Sequence, residues 1–152
     1  MWSDAVFAYL HFAAIFTLLW FLAKEWTLFK AGPENLDAKR LALADLGYFL
    51  AAMAVLATGL MRAFLGAKGW AFYAHNPVFH AKIGTFLLIA LVSVWPTRVF
   101  LRWRRAAAAD PAFRPAAKEW RQVRVFLMLE LHLIALIPLL AVLMARGIGW
   151  RG

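Results

Sequence analysis

Six ionisable side chains stand in or at the edge of long apolar runs of this sequence: His11, Arg62, His80, Lys82, Glu130 and His132. Such groups are costly in a low-dielectric interior and mark binding or transfer sites by default. Neutral imidazoles facing each other across a helical bundle are the usual axial ligands of b-type haem, and Arg or Lys near a membrane surface pairs with the haem propionates. These residue types point to haem b, with His11, His80 and His132 as candidate iron ligands and Arg62 as a cofactor-binding cation. Three ligand pairs are open: His11 with His132, His11 with His80, and His80 with His132. Glu130 must pair, hold a proton or line a polar cavity, and with Lys82 it is the candidate catalytic or proton-relay group. A partner for it could be Arg124, or Asp45 through a shared proton. The plain alternative for any one histidine is a helix-packing hydrogen bond, and Arg62 and Lys82 fit snorkelling to the interface equally well. His75, in a polar loop beside Asn76, is left out of the site.

The elements that must position these residues are four apolar runs, at 5 to 23, 46 to 65, 83 to 101 and 125 to 145. Each approaches the roughly 20 residues that an α-helix needs to cross about 30 Å of hydrocarbon. The expectation is an all-α integral membrane four-helix bundle, one transmembrane domain over 1–152 with helices at about 4–29, 45–65, 78–103 and 120–146. Asp37 to Asp45 leads into the second helix. The loop from Gly66 to Pro77 carries Trp70 and Tyr73, which suit the interfacial aromatic belt. The Ala106 to Ala109 tract, followed by Asp110, Pro111 and Pro115, reads as a surface linker.

Composition agrees. With 64% hydrophobic and 16% charged residues, the chain has too little polar surface for a soluble globule. The net charge of +9 is no nucleic-acid signature here, because the cations gather in two loops. Residues 24 to 40 carry Lys24, Lys30, Lys39 and Arg40; residues 98 to 124 carry Arg98, Arg102, Arg104, Arg105, Arg114, Lys118, Arg121 and Arg124. The other side keeps Arg62, Lys68, Lys82, Arg146 and Arg151. The positive-inside rule then places both termini on the periplasmic side of a multi-pass protein of the inner membrane. The absence of cysteine excludes disulfides, thiolate-ligated clusters and covalent haem attachment. No His-x-x-x-His pair, phosphate-binding glycine loop or broken-helix repeat supports zinc, nucleotide or secondary-transporter chemistry.

The run Asn76-Pro-Val-Phe-His80-Ala-Lys82-Ile-Gly-Thr-Phe resembles an uncharacterised family of small four-helix bacterial membrane proteins. So do His11, the segments Leu60-Met-Arg62, Lys68 to Tyr73 and Ser93 to Thr97, and the Glu130 helix. More remotely, His11, the His80-x-Lys82 pair and Glu130 are similar to the haem-binding bacterial protoporphyrinogen oxidase family. That enzyme has an Asn-Glu-x-Pro pattern where this chain has Leu129-Glu130-Leu131-His132. The resemblance implies haem binding and, in the enzyme, porphyrinogen oxidation. The resulting expectation is a b-type haem-binding membrane protein passing electrons to or from a quinone or a partner redox protein. The alternatives are a protoporphyrinogen oxidase-like enzyme, and a non-catalytic membrane subunit or assembly factor. Lipid is the obligate partner, with a homodimer or a larger complex as open assemblies.

Overall fold

The computed structural model describes residues 2–66 and 69–149, without the side chain of Ser3, so Lys68 and Arg151 lie outside the described residues. Four long helices, α1 (Trp2–Lys30), α2 (Ala38–Leu65), α4 (Pro77–Ala109) and α5 (Ala117–Ala145), are each long and apolar enough to span a membrane. A short helix, α3 (Gly69–Ala74), lies between α2 and α4. Helix α1 packs along α2, α4 packs along α5, and α2 meets α4 to join the pairs.

Boundaries move outward from the sequence expectation, for local reasons. Helix α2 begins seven residues earlier than expected because Asp37 caps it, its side chain accepting from Arg40 N at 2.9 Å. The alanine tract 106–109 is the last turn of α4 and not a linker, since alanine favours helix and the chain is stopped only at Asp110-Pro111. Asn76, fully buried, caps α4 by accepting from Val78 N at 2.9 Å, with Pro77 at the first helical position. Its amide also donates to Ile148 O at 3.4 Å, tying the C-terminal turn to the start of α4.

The two ends of the bundle differ. At one end the loops after α1 and α4 meet through an ion pair of Arg114 with Glu34 at 3.6 Å. At the other end Asp4 lies against Gly66, and Gly149 against Asn76 and Val78, so both termini share the end that carries α3. Arg104, Arg105, Arg114 and Lys118 therefore stand at or near the first end.

Each buried face follows helical periodicity. On α1 the buried stripe is His11, Ala14, Leu18, Leu22, Glu25 and Phe29, at spacings of three and four. Toward the loop end the core is aromatic. Phe29 stacks on Trp120 at 4.1 Å, Trp120 on Trp103 at 5.4 Å, and Phe100 lies 5.8 Å from Trp103. The indole N–H of Trp103 donates to Glu119, which also pairs with Arg102. Deeper in, Leu18, Leu22, Tyr48 and Ala51 form a second cluster. Gly47 lets α1 and α2 approach, because a Cβ there would overlap the Phe21 ring.

Candidate functional site

The six residues singled out from sequence separate into two places and two outward-facing histidines. His132 is exposed on α5, its Nδ1 bonded to Met128 O of the same helix at 2.6 Å. His80 is exposed on the first turn of α4, its Nε2 on Ala74 O at 2.8 Å. His75, also exposed, bonds Ala71 O at 2.9 Å. His11 alone is buried, 7% exposed, with Nδ1 2.9 Å from the Thr58 hydroxyl. Thr58 has a single proton and donates it to Ala54 O at 2.6 Å, so it accepts from His11, and Nδ1 carries the hydrogen. The imidazole edge lies against Gly59, where a Cβ would stand 3.1 Å from Cε1.

Around His11 gather the two cations. Arg62 and Lys82 are both within electrostatic reach of the imidazole and of each other. Tyr73 of α3 is in reach of Arg62 and of Asp4, and burial holds its hydroxyl above the ordinary phenol range. Three of the sequence candidates thus converge at the terminal end of the bundle: His11, Arg62 and Lys82.

Glu130 belongs elsewhere. It is 1% exposed on α5 and is joined by two more buried acids, Glu25 of α1 at 1% and Asp45 of α2 at 5%, the second of which the sequence offered as its partner. Asp45 is in electrostatic reach of both glutamates, and Glu130 of Glu25. Asp45 accepts from the Thr97 hydroxyl of α4 at 2.9 Å, and the Tyr48 hydroxyl is in reach of all three acids. All four long helices therefore contribute to one polar cluster. Glu25 Oε2 and Glu130 Oε1 are buried without a hydrogen-bond partner. Arg124 is exposed, and no ion pair joins it to Glu130 among the described residues. Of the two partners weighed for Glu130, its neighbourhood is that of Asp45.

Apolar side chains flank the cluster on both sides. The aromatic core of Phe29, Trp103 and Trp120 closes it toward the loops, and Leu18, Leu22 and Ala51 close it toward the middle. Each acid holds a place that an apolar residue would take in a helical stripe: Leu22, Glu25, Phe29; Leu41, Asp45, Tyr48; Val123, Leu127, Glu130. That spacing was the signal available in the sequence. Glu25 was not among the residues the sequence singled out, and Asp45 entered only as a partner for Glu130 at the expected start of the second helix.

The donor set was tested against haem. His11 meets one requirement, an imidazole whose Nδ1 is anchored, leaving Nε2 for a metal. The other candidate ligands, His80 and His132, are exposed, and each has one ring nitrogen on a backbone carbonyl of its own neighbourhood. Among the described residues, no three His, Asp or Glu side chains are grouped so as to hold a metal ion.

The fold and its buried polar groups define a multi-pass four-helix membrane protein with ionisable clusters at two depths. A family model described as "Predicted membrane protein (DUF2214)" matches residues 3–149, and the chain belongs to that family. No curated protein and no solved structure matches the chain. The comparisons accordingly show no likeness to protoporphyrinogen oxidase.

Proposed function

We propose that this protein handles protons in the membrane, loading and releasing them at the cluster of Glu25, Asp45 and Glu130. The observation that supports this is the burial of three carboxyls from three helices in electrostatic reach of one another, two of them with an unpartnered oxygen, and no ion pair to any of them among the described residues. Three like charges in a low-dielectric interior repel strongly, and each also loses its hydration; protons relieve both costs. A structural role would be served by a paired acid and base, as in Arg114 with Glu34 at the surface. The basic loops lie on the cytoplasmic side of a bacterial inner membrane in this reading, and both termini on the periplasmic side. The acids then stand nearer the cytoplasm, Asp45 about 10 Å in from the start of α2 and Glu130 about 20 Å in from that of α5.

Infrared difference spectra between acid and alkaline states test this. A protonated-carboxyl carbonyl band that shifts in deuterated water is expected in the reconstituted protein. Its amplitude should fall in Glu25→Gln and again in Glu130→Gln. A spectrum without such a band, or one that both variants leave unchanged, defeats the proposal.

A second reading is redox: a b-type haem protein serving a quinone or a partner redox protein. Its support is the anchored tautomer of His11 beside two cations suited to propionates. The second iron ligand in this reading is His80 or His132, both carried on exposed helix faces. Reduced-minus-oxidised visible spectra of the purified protein decide it. A b-type band abolished by His11→Ala would carry this reading, and a colourless, folded protein would end it.

A further inference from the structure

We propose that Arg62 of α2 and Lys82 of α4 form a binding site for a phosphate oxyanion, carried by an anionic lipid of the bilayer. Both cations lie in the bundle's terminal end, half-buried and in reach of each other and of His11. Two like charges at this range in a poorly solvated setting call for a counter-anion. Among the described residues, no carboxylate lies within ion-pair distance of either. Asp4, an acid at this same end, stands against Gly66 and reaches Tyr73 electrostatically. Arg62 Nε is buried and donates to no acceptor among the described residues, so a donor is already desolvated.

Depth and surroundings select the ligand. Arg62 is three residues from the end of α2 and Lys82 five from the start of α4, about 5 to 8 Å inside the bundle end by helical rise. That is where phosphates of a lipid leaflet sit above their acyl chains. The flanking Met61, Phe64, Leu65 and Trp70 are exposed apolar side chains, suited to the hydrocarbon of an amphipathic ligand. A planar guanidinium binds phosphate oxygens in bidentate fashion, and a lysine ammonium supplies the adjoining point charge. The inference is independent of the carboxyl cluster, because Glu25 lies fourteen residues, about 21 Å, along α1 from His11.

The test titrates the protein, purified in neutral detergent, with short-chain phosphatidylglycerol, phosphatidylcholine or inorganic phosphate, and reads the thermal unfolding midpoint. Phosphatidylglycerol should raise the midpoint and phosphatidylcholine should not. Arg62→Gln and Lys82→Gln should each raise the half-saturating concentration about tenfold, the loss of one charge-assisted contact. Arg62→Lys, which keeps the charge and loses the bidentate fork, should fall between wild type and Arg62→Gln, which separates loss of charge from misfolding. Paired Arg104→Gln and Arg105→Gln substitutions, in the basic segment at the opposite end, should leave it unchanged. Protection by inorganic phosphate at matching concentrations would keep the site and assign its ligand to free anion. Wild-type behaviour in both single variants, or loss of the response in the Arg104 and Arg105 pair, would overturn the proposal.

Discussion

Glu130→Leu is expected to raise the stability of this protein by about 1–3 kcal/mol, the range by which burying an uncompensated polar group costs a fold. The carboxyl is 1% exposed and its Oε1 meets no donor. Leucine is close to it in volume and would complete the apolar stripe of Val123, Leu127 and Ile134 on α5. Replacing buried charge by a well-packed apolar side chain is often neutral or stabilising. The gain should appear as a higher unfolding midpoint in mixed detergent, together with a smaller protonated-carboxyl band. Stability gained with function lost is the signature of a residue kept for its chemistry. A comparable loss of stability would instead make Glu130 a structural partner of the bundle, and would remove the main support for proton handling.

Trp103→Ala should have the opposite effect and the larger one, a loss of about 3–5 kcal/mol. Trp103 is fully buried, stacks on Trp120 and touches Phe100, and its N–H is satisfied by Glu119. Truncation opens a cavity where α4 and α5 meet α1, and strands the Glu119 oxygen that the indole served. The same aromatic layer separates the carboxyls from the loop end, so this variant should also speed proton exchange at the cluster. Proteoliposomes carrying an internal pH indicator, after an external acid step, would show faster equilibration than with wild type. An unchanged rate alongside the lost stability would restrict this layer to packing.

The four spans were legible in the sequence because hydrocarbon imposes a length and a composition that no local detail can override. The grouping of basic residues at one end was legible too, since charge is counted in loops and not in contacts. His11, Arg62 and Lys82 could be brought together by depth alone, all three lying near the ends of their helices on the same side. Rotation about each helix axis was not legible, and it decided the rest. His80 and His132 lie in apolar surroundings but turn outward, where each satisfies one nitrogen on a backbone carbonyl, and depth says nothing of that. Glu25 lay inside the expected first helix, but which way it faced was not legible, and Asp45 stood at the expected start of the second helix until α2 began seven residues earlier. The apolar runs thus determined that this chain spans a membrane, by the cost of exposing backbone and charge to lipid. Only the packing of α1, α2, α4 and α5 decided which ionisable groups meet, because the small offset between adjacent helix faces selects between an acid facing three neighbours and a histidine facing lipid.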